Sequence, residues 1–238
     1  MSDGWVTRIN EFGQPIGDPV PGWTPRPAIE PVELVGPRVR LEQLRPHHAS
    51  VLHGPMVLQS SPRLWTYYPY PDLTELTAFE NYVATLRELP SAWPMAILTP
   101  HGAGRGVACY LRNDPANGSV EVGGIVFAEV LQRTAAATEA MSLMLAHAFD
   151  ALGYRRAEWK CDSLNEPSRR AAARLGFSYE GRFRNAVVHR GRNRDTDWFS
   201  ITDGEWPAVR AALQSWLSPD NFDAHGRQIQ ALAQLRIA

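Results

Sequence analysis

The middle of the chain most constrains the fold, because residues 119–163 combine two strand patterns with a long helix between them. The apolar run "SVEVGGIVFAE" at 119–129 predicts the first strand, and "RRAEWKCDS" at 155–163 predicts the second. Apolar residues at helical spacing predict a helix over 134–152, which Gly153 would end. A unit of strand, turn, helix and strand indicates an α/β domain.

The flanking sequence extends this unit into one domain with about seven strands. Further strands are predicted at 39–46, 93–99, 105–114, 177–190 and 196–201, and further helices at 47–58, 74–89, 165–176 and 204–217. Thr74 is a candidate N-cap for the helix at 74–89, whereas Asn165 and Gly176 are expected to begin and end the helix at 165–176. No internal repeat and no second core is evident.

Both ends of the chain lie outside the predicted domain at 38–218. Residues 1–37 are rich in proline and glycine, and we expect an extended arm that places Trp23 against the domain. Residues 219–238 are expected to form a loosely held tail. The N-terminus lacks the basic and apolar regions of a signal peptide.

Charge and cysteine usage exclude several functional classes. The net charge of −1 gives no overall field that favours nucleic acid or an anionic membrane. No apolar run approaches the roughly 18–20 residues of a membrane span. Cys109 and Cys161 lie in apolar strands without ligands at metal spacing, so we predict reduced, buried thiols, no metal and a cytoplasmic protein. We assign no chemistry to His47, His48 and His53, which fall on a predicted surface helix.

The turn "LQRTAAATEAM" at 131–141 has two interpretations on its residues alone. The first turn of a helix leaves backbone N–H groups unpaired and carries positive dipole, so it can hold a pyrophosphate. Small side chains at 135–137 would let an anion approach, and Thr134 and Thr138 would add hydroxyls. An ordinary buried helix that begins with small residues is equally consistent with this stretch.

The arrangement of motifs resembles the GNAT superfamily of N-acetyltransferases, in its RimJ/RimL-like branch. The resemblance covers roughly residues 39–206 and is carried by four segments: "SVEVG" (119–123), "LQRTAAATEAM" (131–141), "EWKCDSLNEPSRRAAARLGFSYEGRFR" (158–184) and "HRGRNRDTDWFSI" (189–201). It implies a mixed, splayed sheet flanked by helices. It also implies an enzyme that uses acetyl-CoA as co-substrate, without a metal, to acetylate a primary amine.

The resemblance places the CoA pyrophosphate on the turn before the long helix. Its candidate ligands are Gln132, Arg133, Thr134, Ala135, Ala136, Ala137 and Thr138. Gln132 matches the first position of the usual R/Q-x-x-G-x-G/A pattern, but alanine stands at 135 and 137 where glycine is common. Alanine is tolerated there if φ is negative, so we expect the site to require free amides rather than left-handed backbone angles. Arg133 could instead reach a CoA phosphate itself.

The resemblance also implies where the rest of the cofactor would lie. The acyl-pantetheine would pair with the backbone of Ile125, Val126 and Phe127, where "GG" at 123–124 predicts either a splay-forming bulge or a plain turn. Asn165 and Ser168 would bind the pantetheine arm or thioester, although helix capping alone would also explain them. Candidates for the adenosine phosphate are Arg169, Arg170 and Arg174, whose alternative role is a solvated helix face.

The implied chemistry is direct attack of an amine on the thioester, which requires a base and an acid. Glu121 is the candidate base, its alternative being an outward-facing strand carboxylate. The family's frequent tyrosine acid has no match within 165–176, so Ser168 or water would serve. The acceptor pocket is expected to be lined by Trp65, Tyr67, Tyr68, Tyr70, Arg184, His189 and Trp198, although a proline-rich aromatic loop can equally be a core plug.

The acceptor and the oligomeric state stay open at this stage. A small molecule, an aminoacyl conjugate or a protein N-terminus would each supply a primary amine, and the chain could be a monomer or a homodimer. The alternative function is a non-catalytic acyl-CoA-binding or protein-interaction module on the same fold.

Overall fold

A mixed sheet of eight strands forms the centre of the molecule, where about seven were expected. The computed structural model describes residues 8–30, 32–70 and 72–236. A separate small hairpin joins β1 (Arg8–Ile9) and β2 (Pro15–Ile16). The central strands are β3 (Leu34–Val35), β4 (Arg40–Gln43), β5 (Trp93–Leu98), β6 (Gly104–Asp114), β7 (Ser119–Phe127), β8 (Arg156–Asp162), β9 (Ser178–His189) and β10 (Arg192–Thr202). The predicted α/β fold class is therefore confirmed, and the additional strand is the two-residue β3.

The sheet has one parallel pair, and that pair is incomplete. The strand order is β3-β4-β5-β6-β7-β8-β10-β9, and every neighbouring pair is antiparallel except β7 with β8. β7 and β8 pair only where Ser119, Val120 and Glu121 face residues 156–158. The rest of β7 diverges from β8, which opens a gap in the middle of the sheet.

Within the described residues, six α-helices surround the sheet. They are α1 (His48–His53), α2 (Leu76–Glu88), α3 (Ala135–Ala146), α4 (Glu166–Leu175), α5 (Trp206–Leu217) and α6 (Leu232–Leu235). π-helical turns continue α1 over Gly54–Leu58 and α3 over His147–Ala151, and short 3₁₀ turns lie at Pro62–Trp65 and Pro219–Asn221. None of the helices in the described ranges is long and apolar enough to cross a membrane.

The capping residues explain where α3 and α4 begin and end. Thr134 is extended, and its hydroxyl accepts a hydrogen bond from the Ala137 amide at 3.1 Å. Asn165 caps α4 in the same way, and Gly176 ends it at φ +107°. Gly153 follows the π-turn of α3 at φ +68°, as its predicted role requires. Thr74 does not cap α2, because the N-cap is Glu75 and the Thr74 hydroxyl bonds Asp72.

Two apolar layers cover the two faces of the sheet. The larger layer packs α3, α5 and α6 against side chains such as Tyr110, Trp159 and Ile201. The smaller layer packs α1 and α2 against Val107 and Val126. Successive side chains of a strand point to opposite faces, so even-numbered residues of β8 face away from the α3 layer. This alternation decides which face each site residue occupies.

The two terminal segments pack on the domain. The Trp23 indole donates to the Ala116 carbonyl at 3.0 Å and lies against Gly118, where an added Cβ would come within 2.6 Å of the ring. At the other end, Leu232 is buried in the larger core layer and Phe222 packs edge-on against Trp216. The prediction of a loosely held tail is therefore wrong where Phe222 and Leu232 pack around α5, whereas residues 224–230 between them are exposed.

The predicted surface position is also wrong for two of the three histidines near the start of the domain, whereas His47 is exposed as expected. His48 and His53 are buried, since α1 packs its helix face against the sheet and α2. The His48 Nδ1 accepts from the Arg45 amide at 2.9 Å and its Nε2 lies 2.7 Å from a Glu42 oxygen. The His53 ring bonds the Thr74 carbonyl at 2.9 Å. Cys109 and Cys161 are free and buried, as expected.

Glu139 links α3 to the turn between β3 and β4. Its buried carboxylate accepts from the Arg38 amide at 2.7 Å and the Val39 amide at 3.0 Å. Only glycine fits at position 36, because an added Cβ would lie 2.7 Å from the same oxygen. One side chain thus satisfies two amides that have no other partner among the described residues.

Glu139→Ala should lower the free energy of unfolding by about 2–4 kcal/mol, because each unsatisfied buried donor costs roughly 1–3 kcal/mol. Glu139→Gln can keep the one oxygen that both amides share and loses the bond of the other oxygen to Arg38 Nη1, so it should be less destabilising than Glu139→Ala. Urea unfolding of both variants checks this. An alanine variant as stable as the native chain would show that the turn finds other acceptors.

Candidate active site

The gap between β7 and β8 begins at a bulge in β7. Gly123 pairs with Cys109 and Val126 pairs with Val107, so Gly124 and Ile125 together face one residue of β6. Gly124 has φ +58°, a conformation that glycine adopts without the strain of a side chain. This is the bulge that the sequence offered as one of two alternatives for "GG".

The bulge leaves backbone groups of β7 directed into the gap. Ala128 donates its amide to the Arg105 carbonyl of β6 at 2.9 Å, so by alternation the Val126 backbone also faces β6. The backbones of Ile125 and Phe127 therefore face the gap. Two side chains reach these carbonyls: the Tyr68 hydroxyl donates to Ile125, and the Gln132 amide donates to Phe127 at 2.9 Å. Of the three predicted residues, only Ile125 and Phe127 offer backbone groups to a ligand.

Glu121 occupies the last paired position of β7 before the strands diverge. Its carboxylate is buried, and its Oε2 lies 2.9 Å from Arg112 Nε and 3.2 Å from Lys160 Nζ. Arg112 also contacts Glu158, which connects the site to the ion pairs of Arg156. Glu121 is therefore not the outward-facing strand carboxylate that was its alternative.

Burial dominates the electrostatics of Glu121. Desolvation raises the pKa of the Glu121 carboxyl above its ordinary value, while the Lys160 and Arg112 cations oppose the rise. Gly123 makes room for this carboxylate, because a Cβ there would lie 2.6 Å from Glu121 Oε1. A carboxylate with a raised pKa is a stronger base than an ordinary glutamate, which suits it to accept a proton from the substrate.

Trp198 of β10 forms the wall beside Glu121. Its ring lies 4.7 Å from the Arg112 guanidinium and 4.9 Å from Lys160 Nζ, both measured to the ring centroid. Phe183 packs against the same ring, with 5.0 Å between the ring centroids. Its buried indole N–H has no hydrogen-bond partner among the described residues. The structure thus brings Trp198 to the base, whereas Arg184 on the same hairpin is exposed and His189 is half-buried with an unpartnered Nε2.

The turn before α3 presents free amides to the surface. No acceptor lies on the amides of Arg133, Ala135 and Ala136 within the described part of the chain. Ala135 and Ala136 are half-buried and have negative φ, as expected, but Arg133 has φ +62°. The expectation that the turn needs no left-handed residue is therefore wrong. The residue that precedes the N-cap of α3 has a left-handed conformation, and this residue is Arg133.

The hydroxyls of this turn are already engaged. Thr134 donates to the Leu131 carbonyl at 2.6 Å while capping Ala137. Thr138 is buried and accepts from Arg174 Nη1 at 3.0 Å. Arg174 therefore reaches the first turn of α3. Arg170 instead points to solvent in an exposed pair with Glu166, and Arg169 forms an ion pair with the buried Asp197, with Nε 2.8 Å from a carboxylate oxygen.

Asn165 and Ser168 lie together at the start of α4. The Asn165 side chain accepts from the Ser168 amide at 3.2 Å, so its capping role is present. The Ser168 hydroxyl oxygen accepts from the Trp159 indole at 3.0 Å. Trp159 and Lys160 are consecutive in β8, so Ser168 and Glu121 lie on opposite faces of the sheet with the gap between them.

The aromatic loop divides into a core part and a part that spans the gap. Trp65 is buried and packs edge-on against Tyr70 and Tyr82, so it plugs the core rather than lining a pocket. Tyr68 bonds the Ile125 carbonyl on β7, and Tyr67 donates to the Leu164 carbonyl after β8 at 2.9 Å. These two tyrosines connect the diverging strands across the mouth of the gap.

One group of side chains contains the residue types of a metal site, but its hydrogen bonds oppose metal binding. Glu42, His47 and His48 place potential ligand atoms within 4.8 Å of one another. The His48 Nδ1 accepts a backbone N–H, which leaves the proton of a neutral ring on Nε2, where it is donated to Glu42. That nitrogen has no lone pair for a metal.

Sequence reasoning missed two residues of the site, Arg112 and Lys160. The only signal at Lys160 is that it is the sole lysine of the chain. Arg112 lies in an irregularity of β6 at φ +47°, and no local pattern placed it beside Glu121.

Comparisons with known proteins agree with this architecture. Residues 38–178 match the acetyltransferase (GNAT) domain family. A GCN5-related N-acetyltransferase from Brucella melitensis is 39% identical, with TM-score 0.89 over 92% of this chain and 100% of that chain. A probable GNAT acetyltransferase from Chromobacterium violaceum is 34% identical, with TM-score 0.75 over 82% of this chain and 98% of that chain.

A more distant structure shares the fold. RimJ from Mycobacterium smegmatis in complex with CoA-disulfide is 24% identical, with TM-score 0.60 over 71% of this chain and 84% of that chain. No curated protein matches the chain significantly. The family match covers more than half of the chain and the two nearer structures cover most of it, so this protein belongs to the GNAT family of acetyltransferases, which use acetyl-CoA.

Proposed function

We propose that this enzyme passes the acetyl group directly to a primary amine and that Glu121 takes the proton which the amine loses. The observation that carries the proposal is the position of Glu121, buried at the point where β7 and β8 diverge. The amine attacks the thioester carbonyl, so no covalent intermediate on the protein is needed. A base at the edge of the gap could reach the attacking nitrogen directly or through one water.

The residues around the gap fit an acyl-CoA ligand. We assign the pyrophosphate to the amides of Ala135 and Ala136, and the pantetheine to the backbones of Ile125 and Phe127. The unpartnered amides and the divergent strand support this assignment, because a ligand with phosphate and amide groups would satisfy both. RimJ, which shares the fold, binds CoA-disulfide in its own structure.

The remaining predicted ligands have smaller roles in this proposal. Thr134, Ala137 and Thr138 shape the turn, since their polar groups are engaged within the protein. Arg133 and Arg174 lie at the turn and are better placed for a phosphate than Arg170, whose charge pairs with Glu166. Val126 supports the gap from the core, and Gln132 holds the Phe127 carbonyl until the ligand displaces it.

The leaving thiolate requires a proton donor on the other side of the gap. Ser168 is the candidate, because the Trp159 indole donates into its oxygen and leaves the hydroxyl proton free to point elsewhere. Asn165 holds the backbone of Ser168 in place. No tyrosine lies on α4, whose residues are all described.

We place the acceptor amine between Trp198 and the two gap-spanning tyrosines, Tyr67 and Tyr68. The unpartnered indole N–H of Trp198 supports an acceptor that carries an oxygen close to its amine. Amino acids, aminoacyl conjugates and peptide N-termini have this feature, whereas simple alkyl amines do not. The fold shared with RimJ is consistent with the RimJ/RimL-like branch. Residues 38–218 would form the catalytic domain on which the arm and the tail pack.

An amine panel tests the proposal. The protein is mixed with acetyl-CoA and one amine at a time, and release of the CoA thiol is followed. The panel pairs each amino acid or peptide with the alkyl amine that lacks its carbonyl oxygen. We expect amine-dependent release that favours the carbonyl-bearing member of each pair. Binding of acetyl-CoA without turnover on any amine would instead support the non-catalytic alternative.

A further inference from the structure

Lys160 holds the only side-chain amine of the chain, and it lies at the candidate base. Every other basic residue among the 24 lysines and arginines is arginine. Lys160 stands on β8 two residues beyond Glu158, the last β8 residue that pairs with β7. Its side chain therefore leaves the sheet beside the gap, on the face that carries Glu121.

The surroundings of the Lys160 amine resemble those expected of an acceptor. Its Nζ is 3.2 Å from Glu121 Oε2 and 4.9 Å from the centre of the Trp198 ring. The side chain is 23% exposed, so a ligand in the gap can reach it. The neighbouring Arg112 cannot serve as a nucleophile, because its guanidinium stays protonated.

We propose that Lys160 is an internal acetyl acceptor, so that the enzyme acetylates itself at the acceptor side of its own site. This inference rests on the proposed function of the gap and of Glu121. The Lys160 ammonium gives one proton to Glu121 and becomes a neutral amine. The amine nitrogen bonds the carbonyl carbon of acetyl-CoA and the carbon–sulfur bond breaks, while the nitrogen loses its second proton and the departing sulfur takes one, so the proton on Glu121 is the net proton released to solvent. The products are N-ε-acetyl-Lys160 and CoA.

Acetylation would change the site in two ways. The positive charge of Lys160 is lost, so Glu121 keeps Arg112 as its cationic partner within the described site. The acetamide then occupies the space between Glu121 and Trp198 that an external amine requires. The modified enzyme should therefore turn over external amines more slowly, which makes the modification self-limiting.

Mass spectrometry tests the inference on the full chain. The protein is incubated with acetyl-CoA and no added amine, then digested, and acetylation of the Lys160 peptide is followed over time. We expect Lys160 to gain one acetyl group at least about a hundredfold faster in the folded chain than in the urea-unfolded chain, which is a typical gain from a positioned base. The fraction modified per minute should not change on dilution, because the acceptor is internal.

Two controls separate this reaction from chemical acetylation. The rate of Lys160 acetylation in the urea-unfolded chain reports the unassisted reaction. Glu121→Gln should slow Lys160 acetylation without slowing that reference, and its thermal melting shows whether the variant is folded. When the native enzyme is preincubated with acetyl-CoA, its rate on an external amine should decline. The Lys160→Arg variant should show no such decline, whatever its initial rate.

The outcomes distinguish the two proposals. If acetyl-CoA binds and external amines are acetylated while Lys160 stays unmodified, the inference is wrong and the proposed function stands. Equal rates in the folded and unfolded chain, or a rate that depends on protein concentration, would also overturn it. If acetyl-CoA does not bind at all, both proposals fail together.

Discussion

Replacing Glu121 by glutamine should lower kcat by about a hundredfold or more, the typical contribution of a positioned general base. Glutamine has nearly the same shape and keeps a hydrogen-bond acceptor for Arg112 and Lys160, but it cannot take a proton. The KM for acetyl-CoA should change little, because Glu121 lies on the acceptor side of the gap. Steady-state rates with a responsive amine measure both quantities.

Glu158→Gln is the matched control for this experiment. It removes a carboxylate from the same network, where Glu158 contacts Arg112 and Arg156, but it does not remove the proposed base. We expect a loss much smaller than that of Glu121→Gln. Equal losses in the two variants would show that the ion-pair network matters as a whole and that Glu121 has no special role.

The pH dependence of kcat/KM is a second test of Glu121 as the base. Burial raises the pKa of Glu121, against the opposing Lys160 and Arg112 cations, so the carboxylate takes up a proton at higher pH than an ordinary glutamate. A base acts only when ionised. Native kcat/KM should therefore be present above this pKa and fall as the pH drops through it. In Glu121→Gln, the part of the pH profile of kcat/KM that reflects ionisation of the amine substrate should remain. The part that reflects ionisation of the carboxyl should disappear.

The second large effect is expected at the turn before α3. Ala135→Trp should weaken acetyl-CoA binding by about a hundredfold or more, because the indole would cover the free amides of Ala135 and Ala136. Hydrogen bonds to a charged group contribute roughly 1.5–3 kcal/mol each, so the loss of two accounts for this change. Titration calorimetry gives the Kd directly. At saturating acetyl-CoA, kcat should recover if the variant affects binding alone.

Ala151→Trp provides the corresponding control at the other end of the same helical segment. Ala151 is exposed and lies in the π-turn that follows α3, so the same substitution there leaves the amides open. Its Kd should match that of the native chain. An unchanged Kd in Ala135→Trp would place the pyrophosphate elsewhere on the protein.

The sequence was most informative where short-range patterns determine structure. The strand, turn and helix between 119 and 153 follow from apolar spacing, from the Thr134 cap and from Gly153, all of which act over a few residues. The bulge at Gly124 likewise follows from the glycine pair. These local features also position the gap, but the cofactor itself was implied by the resemblance to the GNAT superfamily, since the turn alone fitted a plain buried helix equally well.

The acceptor side depended on contacts that the sequence does not display. Arg112 reaches Glu121 through the pairing of β6 with β7, and Lys160 reaches it through the pairing of β7 with β8. Trp65 had the composition of a pocket wall, but the packing of α2 against its loop made it core. Burial of His48 also depends on how α1 packs, which helical periodicity alone does not show.

The crystal structure of the protein with acetyl-CoA tests the central claim most directly. We predict that the thioester lies in the gap between β7 and β8, with the pantetheine against Ile125 and Phe127, the pyrophosphate on the Ala135 and Ala136 amides, and Glu121 facing the acetyl carbon from the acceptor side. A ligand bound outside the gap, or an acetyl group on the face of Ser168 and out of reach of Glu121, would contradict it.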